Sequence, residues 1–365
     1  MKKLLQRLFR KPVIWLANKV SSSPQRKAIF SSLSDLYNAI VQGKEDRGII
    51  VPLNMEKGRF IIFSDQHKGN KDAADDFMAA EINYIAALQH YNKNGFSYIN
   101  LGDCEELWEC TPAEAIKSNK LSLLEEARFE EQGRYFRIYG NHDLEWKYLI
   151  QQNLYLKPVL GKNLKVHEGL VLQTTYNSKP YHLFFTHGHQ GDSKSDGNAF
   201  SMWFVAAIWT PVQRYLQISV NTVSDSFDLV DAHNTLMYEW SATLRNMLFI
   251  SGHTHKPVFA SMDHIDRLSK QLLKAKAAQN ATLEANLVKE LERRSAEYAG
   301  KTIIRRMAHP TYFNTGCCCF ADGDISGIEI EDGMIRLVKW KKNPECCVRI
   351  VLEESPLGYV FDNLI

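Results

Sequence analysis

The sequence has 365 residues, of which 45% are hydrophobic and 24% charged, the proportions of an ordinary globular protein with one large domain or two. Its 44 Lys and Arg residues nearly balance its 42 Asp and Glu residues, so the overall charge indicates no nucleic-acid partner. Seven cysteines without regular spacing argue against a disulfide framework and for a reducing compartment, so we expect a cytoplasmic protein. The sequence contains no run of about 18 apolar residues, so no membrane-spanning helix is predicted.

Residues 1–20 interleave basic and apolar side chains, unlike the uninterrupted apolar core of a secretory signal. Two interpretations stay open for this segment. It is either a basic amphipathic helix lying at the inner face of a membrane, or a terminal helix packed on the domain with its lysines in water. We predict a helical extension over residues 1–58, with a second helix at 28–41, and a main domain over 59–365.

Within the main domain, short apolar runs alternate with polar loops and helical stretches. The runs predicted as strands are 59–63, 98–101, 135–139, 182–186 and 247–251. Helices are predicted at 75–89 and in a charged stretch that ends near Gln132. This alternation indicates an α/β domain, in which ligand-binding loops lie at the carboxyl ends of the strands. The stretch 312–353 is predicted to be β-rich and to complete a second sheet.

Two stretches depart from this alternation and are predicted as helical insertions, at about 195–245 and 261–301. The first contains an aromatic and apolar segment, residues 200–220. The second is charged and rich in alanine, and it is predicted to be a solvated hairpin or part of a dimer contact; the oligomeric state itself is not predicted. For residues 200–220 the ordinary interpretation is a helix buried against the core.

Each of the five predicted strands ends in a polar phrase that contains Asp, Asn or His. The phrases are Asp65-Gln66-His67, Gly102-Asp103, Gly140-Asn141-His142-Asp143, His187-Gly188-His189 and Gly252-His253-Thr254-His255. Carboxylate, amide and imidazole groups are ligands of divalent cations, so the phrases predict a hydrolytic site with two metal ions. One buried His alone is more often part of a core, but five such phrases rarely arise by chance. Asp103 is the expected bridge between the ions, and one late His completes each ligand set.

In this order the phrases resemble the motifs of the calcineurin-like metallophosphoesterase family, over roughly residues 60–315. The resemblance implies a four-layer αββα sandwich and a dinuclear Mn, Fe or Zn centre, with manganese favoured. The implied ligands are Asp65, His67, Asp103 and His255 for the first metal, and Asp103, Asn141, His187 and His253 for the second. The resemblance also implies that a metal-bridging hydroxide attacks phosphorus while His142 stabilises the transition state or protonates the leaving group. Glu106 would orient His142. The alternative interpretation of Glu106 is a solvent-exposed acidic residue at the start of a helix.

Three further features have simpler predicted roles. Three roles are open for His189: it supports a ligand, contacts the substrate, or is itself the ligand in place of His187. We prefer His187 as the ligand, because it directly follows the strand. Asp143 is expected to stabilise its loop and not to touch metal. The adjacent cysteines at 317–319 are expected to be ordinary buried thiols and not a metal site, because neighbours on a strand point to opposite faces. The same objection applies to a metal site at residues 346–347.

A narrower similarity concerns the phrase Gly102-Asp103-Cys104-Glu105-Glu106-Leu107-Trp108. It is similar to the UDP-diacylglucosamine pyrophosphatases of lipid A synthesis, which act on a lipid pyrophosphate at the membrane surface under a helical cap. Those enzymes carry Arg at the position of His142. The similarity implies that residues 200–220 form the cap and that residues 1–20 and 200–220 contact the membrane.

We therefore predict a metal-dependent hydrolase of phosphate esters or anhydrides, with a phosphorylated small molecule or lipid as substrate. The first alternative is a membrane-surface lipid or nucleotide-lipid pyrophosphatase. The second, from another class, is a non-catalytic scaffold of the same fold. A nuclease would require a basic groove, and the near-neutral charge gives it no support.

Overall fold

The computed structural model describes residues 25–72, 75–191, 227–262, 264–297 and 309–365. The predictions for residues 1–20 and 200–220 lie outside these ranges. In the described part of the chain, two β-sheets pack face to face, and helices cover the outer face of each sheet. The predicted fold class, an α/β fold with two sheets between layers of helices, is therefore confirmed.

The structure contains twelve strands in its described ranges. In chain order they are β1 (Gly48–Pro52), β2 (Phe60–Phe63), β3 (Ser97–Leu101), β4 (Tyr135–Ile138), β5 (Val166–His167), β6 (Gly169–Tyr176), β7 (Lys179–Thr186), β8 (Met247–Ser251), β9 (Tyr312–Asn314), β10 (Ile325–Glu331), β11 (Met334–Lys342) and β12 (Cys347–Pro356). One sheet has the order β12-β11-β10-β2-β3-β4-β5, and the other has the order β1-β6-β7-β8-β9. Strands β2 to β5 run parallel, as do β7 to β9, so the carboxyl ends within each set share one edge.

The helices of the described ranges account for most of the remaining chain. They are α1 (Arg26–Val41), α2 (Glu81–Lys93), α3 (Pro112–Ser118), α4 (Lys120–Glu130), α5 (Phe227–Ser241), α6 (His264–Ala277), α7 (Ala281–Glu297) and α8 (Leu357–Asp362), with shorter helical turns between residues 144 and 160. None of the helices described combines the length and apolar content that a membrane crossing requires.

The burial of β2 shows why the layers form. All four of its residues are buried, and successive side chains of a strand point to opposite faces. Ile62 lies in the core between the two sheets with Ile250 of β8, whereas Phe63 packs against Tyr84 of α2. A strand that is apolar on both faces requires cover on both. On the other outer face, Trp240 of α5 packs against the second sheet.

The prediction that the stretch 312–353 completes a second sheet holds for β9, which pairs with β8 at the edge of that sheet, and is wrong for β10 to β12. Strand β10 pairs antiparallel with β2, with Ile328 opposite Ile62, so β10 to β12 extend the first sheet. In this register Ile328 and Ile330 lie on the same side as Ile62 and join the core between the sheets. The second sheet is instead built around the hairpin of β6 and β7, to which β1 adds; β1 and β6 were not predicted.

The predicted helix at 75–89 begins six residues late, at Glu81. The side chain of Asp75 accepts hydrogen bonds from the backbone amides of Phe77 (3.0 Å) and Met78 (3.1 Å), and such local bonds favour a turn over a helix. The charged stretch predicted as helical to about Gln132 is two helices, α3 and α4, which meet at Asn119. Within the stretch 261–301, helices α6 and α7 occupy residues 264–277 and 281–297.

Candidate dinuclear metal centre

The loops after β2, β3, β4, β7 and β8 meet at one place, above the carboxyl ends of both sheets. Backbone hydrogen bonds join them: the amide of Asp65 donates to the carbonyl of Gly102 (3.0 Å), and the amide of Gly252 donates to the carbonyl of His187 (2.9 Å). The parallel strand order therefore brings together residues that are up to about 190 positions apart in the sequence.

Five of the predicted ligand residues have a left-handed backbone conformation. They are Asp65 (φ 53°), His67 (φ 51°), Asp103 (φ 50°), His253 (φ 69°) and His255 (φ 54°). Residues with a Cβ atom adopt this conformation rarely, because it is less stable than the ordinary backbone conformations by roughly 1–3 kcal/mol for each residue. Such strain persists where the surrounding structure imposes it, and it clusters at functional sites.

Two glycines leave room for the carboxylates of this site. A Cβ atom on Gly140 would overlap Oδ1 of Asp103, and one on Gly252 would overlap Oδ2 of Asp65. Neither glycine has a positive φ. Both positions therefore require glycine because of close approach and not because of backbone conformation.

A first group of ligand atoms comes from Asp65, His67, Asp103 and His255. Nε2 of His255 lies 3.2 Å from Oδ1 of Asp65 and 3.1 Å from Nε2 of His67. Nε2 of His67 lies 4.0 Å from Oδ1 of Asp65 and 3.8 Å from Oδ2 of Asp103. Two imidazole nitrogens that face each other can share at most one proton, whereas a cation accepts the lone pairs of both.

A second group comes from Asp103, Asn141, His187 and His253. The ligand atoms of Asp103, His187 and His253 lie within 4.8 Å of one another. The side-chain oxygen of Asn141 and the Nε2 atoms of His187 and His253 are buried without a hydrogen-bond partner. Buried polar atoms without partners are rare in proteins. Oxygen and imidazole donors of this kind fit a divalent cation, which would satisfy all three.

The carboxylate of Asp103 lies between the two groups. Its Oδ2 is 3.0 Å from Nε2 of His187 and 3.8 Å from Nε2 of His67. Its Oδ1 accepts a hydrogen bond of 2.8 Å from the amide of His142, which fixes the plane of the carboxylate. One oxygen atom therefore faces both groups, which is one of the arrangements in which a carboxylate bridges two cations.

The charges at the site suit cation binding. Burial raises the pKa of Asp103, but the charges of His187 and His142 more than offset this effect and hold the pKa well below its ordinary value. At Asp65, burial likewise raises the pKa, but the charges of His255 and His187 lower it more, so the pKa of Asp65 is also below its ordinary value. Both aspartates are therefore ionised at neutral pH, the state in which carboxylates bind metal.

Glu106 holds two histidines at once. Its carboxylate accepts a hydrogen bond from Nδ1 of His142 (2.8 Å) and another from Nδ1 of His67 (2.7 Å). The contact with His142 was implied by the resemblance, whereas the contact with His67 was not predicted. Since Nδ1 of each ring is engaged, Nε2 of each is left for the centre of the site.

His142 is further fixed by the indole of Trp108, which stacks on it with 4.0 Å between ring centroids and 20° between ring planes. Nε1 of Trp108 donates to the carbonyl of Asn141 (2.9 Å) and so anchors the indole to the same loop. Burial lowers the pKa of His142, but Glu106 and Asp103 raise it above its ordinary value overall. The ring is therefore held in one place and favours its protonated form.

Asp143 and His189 lie at the edge of the site. Asp143 accepts hydrogen bonds from the amides of Cys104 (2.9 Å) and Gly140 (2.6 Å), so it ties two loops together. His189 is buried, and its Nδ1 has no hydrogen-bond partner; burial and the charge of His187 lower its pKa to about 3. His189 is therefore neutral and beside His187, with ring centroids 5.5 Å apart.

A buried group of charged residues lies directly behind the loops, and the sequence analysis missed it. This group, the buried charge network, consists of Lys68, Glu105, Glu126 and Arg137, all with fully buried side chains. Nζ of Lys68 lies 2.5 Å from Glu126 and 3.8 Å from Glu105, and Arg137 is bonded to Glu105. Lys68 and Glu105 directly follow loop residues of the site, so the network supports the loops from below.

The cysteines at 317–319 lie in the loop between β9 and β10 and not on a strand, contrary to the assumption behind their prediction. All three are buried free thiols, as expected. However, Sγ of Cys319 lies 3.9 Å from Nδ1 of His255, and Cys319, His67 and His255 form a third group of ligand atoms within 4.8 Å. At residues 346–347, Cys346 is an exposed free thiol and Cys347 is partly buried.

Comparisons with known proteins add little to this geometry. No protein-family model and no curated protein sequence matches the chain. Among solved structures, a Vps29 single mutant from Entamoeba histolytica is 12% identical, with a TM-score of 0.30 over 81% of this chain and 99% of that one. A dimetal phosphatase from Danio rerio is 8% identical, with a TM-score of 0.34 over 82% and 100% of the two chains. Because both TM-scores are low, conclusions about function rest on the site itself.

Proposed function

We propose that the protein is a dinuclear metal-dependent hydrolase of phosphate esters or anhydrides. The observation that carries this proposal is the position of Oδ2 of Asp103, 3.0 Å from Nε2 of His187 and 3.8 Å from Nε2 of His67. Each of these nitrogens belongs to a separate group of buried ligand atoms. A carboxylate oxygen that lies between two groups of ligand atoms suits a site in which two cations share one ligand.

Asp65, His67, Asp103 and His255 would hold one cation. Asp103, Asn141, His187 and His253 would hold the other. When bound, two divalent cations polarise phosphoryl oxygens and lower the pKa of a water molecule. Manganese, iron and zinc all suit this ligand set, and we favour manganese because carboxylate and amide oxygens are prominent in it.

His142 is the group that would act on the leaving oxygen. Its Nδ1 is bound by Glu106, and Trp108 stacks on its face, so the ring can present only Nε2 to a substrate. Since Glu106 raises its pKa, the imidazolium is available to stabilise a phosphoryl oxygen and to donate a proton to the leaving group. Glu106 would act through this ring, as a positioning residue.

The proposal is tested by reconstituting metal-free protein with manganese, iron or zinc and measuring hydrolysis of phosphate monoesters, phosphodiesters and pyrophosphates. We expect about two ions per chain and turnover that depends on them. Asp103→Asn should lose ions and activity together, whereas Asp362→Asn, at an exposed position on α8, should behave like the wild type. Stoichiometric metal with no hydrolysis of any substrate would instead support the scaffold interpretation.

A second candidate, action on a lipid pyrophosphate at a membrane surface, is favoured by one observation. The helical turns that follow the His142 loop expose four large side chains, Tyr148, Leu149, Ile150 and Leu154, at 61–71% of their surface. Such a cluster of exposed apolar side chains is unusual on a monomeric soluble protein. Faster hydrolysis of a pyrophosphate with acyl chains than of the same headgroup without them would support this candidate, and equal rates would refute it.

A further inference from the structure

Three histidines of the two ligand groups have their Nδ1 atoms held from outside the site, each by a different kind of acceptor. Nδ1 of His67 is bound by the carboxylate of Glu106 (2.7 Å), and Nδ1 of His187 by the backbone carbonyl of Leu101 (3.0 Å). Nδ1 of His255 lies 3.9 Å from Sγ of Cys319. A metal-binding His usually donates its second ring N–H to a carboxylate, a carbonyl or water, which fixes the tautomer.

The loop that carries Cys319 is fixed to the site by its backbone. The amide of Cys318 donates to the carbonyl of Asp65 (3.1 Å), and the amide of Ser326 donates to the carbonyl of Cys317 (3.0 Å). The cysteines face different groups, because Sγ of Cys318 points to the carbonyl of Ser326 and not to an imidazole. Of these two thiols, Cys319 is therefore the one that contacts the imidazole of His255.

We infer that Cys319 is the positioning residue of His255: its sulfur accepts the Nδ1 proton and thereby leaves Nε2 of His255 free for the first cation. This inference rests on the proposed function, because it assigns a role to Cys319 within the same metal centre. It differs from the assignment of Cys319 as a metal ligand, since the sulfur contacts Nδ1 of His255 at 3.9 Å, whereas Nε2 faces Asp65 at 3.2 Å and His67 at 3.1 Å.

The charge of the site explains why a thiol suits this position. Asp65, Asp103 and Glu106 already place three buried carboxylates around the proposed position of the first cation, and Glu106 contacts Nδ1 of His67 at 2.7 Å. A fourth buried carboxylate beside His255 would repel the other three, and unpaired buried charge is unfavourable. Sulfur is a weak acceptor that adds no such charge.

The inference is tested by titrating metal-free protein with cobalt(II), whose visible and near-ultraviolet spectrum reports stoichiometry, affinity and any bond to sulfur. The wild type is compared with Cys319→Ala, Cys319→Ser and the control Cys318→Ala, which removes a neighbouring buried thiol that faces away from the imidazole. Loss of an outer partner of a metal-binding His typically weakens metal binding by about 10–100-fold. We expect this loss at one of two sites in Cys319→Ala.

The serine variant keeps an acceptor, so it should bind cobalt more tightly than Cys319→Ala, and Cys318→Ala should match the wild type. We expect no thiolate-to-cobalt charge-transfer band in the wild type. A band that disappears in Cys319→Ala would overturn the inference by showing a direct ligand, and so would unchanged affinity in that variant. In both cases two bound cobalt ions would leave the proposed function intact, whereas wild-type protein that binds no cobalt would overturn both proposals.

Discussion

The metal-ligand groups and the buried charge network lie next to each other, and they handle buried polarity in opposite ways. In the network, opposite charges face each other: Lys68 contacts Glu126 at 2.5 Å, and Arg137 contacts Glu105. In the ligand groups, atoms of the same kind face each other, with Nε2 of His67 and His255 only 3.1 Å apart. The network is internally neutral, whereas a cation placed between the ligand groups would satisfy the two nitrogen atoms that face each other.

The largest effect is expected from His142→Ala, which should reduce turnover by about 10²–10⁴-fold while both cations stay bound. His142 belongs to neither proposed ligand set, so its loss removes proton donation and charge stabilisation only. Turnover with manganese and metal content by mass spectrometry check this expectation.

The matched control for that experiment is His90→Ala, because His90 is exposed on helix α2. Wild-type turnover in the His142 variant, or loss of a cation from it, would contradict the assignment of this residue.

The complementary change is Lys68→Met, in the buried charge network. Removing one partner of a buried ion pair leaves uncompensated charge, so the free energy of unfolding should fall by about 3–5 kcal/mol. Urea denaturation of metal-free protein measures this change. Lys71→Met is the control, because its ion pair with Glu81 is partly exposed and should contribute only about 0–1 kcal/mol. Similar losses in the two variants would show that the network is not the support of the loops.

A change at the boundary between the two regions is Glu106→Gln. The amide can accept only one of the two imidazole protons through its oxygen, so either His67 or His142 loses its partner. We expect manganese affinity to fall by about 10–100-fold and turnover to fall as well. Glu131→Gln, at an exposed position, is the control. An effect on turnover alone would show that the contact with His67 plays no part in metal binding.

The smallest effect is expected from pH. Burial raises the pKa of Glu126, but Lys68 and Arg137 lower it more, so the folded-state pKa lies below the ordinary 4.5. The stability that this group contributes is therefore fully present above about pH 4.5 and is lost as the pH falls through the folded-state value. The difference in unfolding free energy between the wild type and Glu126→Gln should shrink in acid. A difference that stays constant from about pH 6 to about pH 3 would contradict the sign of this shift.

The candidate ligand residues could be selected from the sequence because each motif is local: an apolar strand followed within a few residues by Asp, Asn or His, as in β3 and Asp103. The structure adds that Oδ2 of Asp103 faces two groups. The buried charge network was not predictable, because a lysine beside a polar loop, such as Lys68, normally lies in water. The second hydrogen bond of Glu106 and the contact of Cys319 both depend on loops that meet only in the fold.

The sheet arrangement shows the same limit. The stretch 312–353, predicted to be β-rich, does contain β9, β10, β11 and most of β12. Strand β10 pairs with the distant strand β2. The hydrophobic pattern of β2 does not show which strand will pair with its free edge. Sequence patterns thus predict that strands form, while the core between the sheets decides where they pair.

The close approach of Gly140 to Asp103 and of Gly252 to Asp65 bears on how this chain tolerates random substitution. Even alanine, the smallest replacement, would push a carboxylate out of position at either residue. In a saturation mutagenesis library selected for activity, these two glycines should therefore be as invariant as the aspartates they face. In a library selected for folding alone, they should accept change more readily, because displacing the carboxylates disturbs the site more than the core.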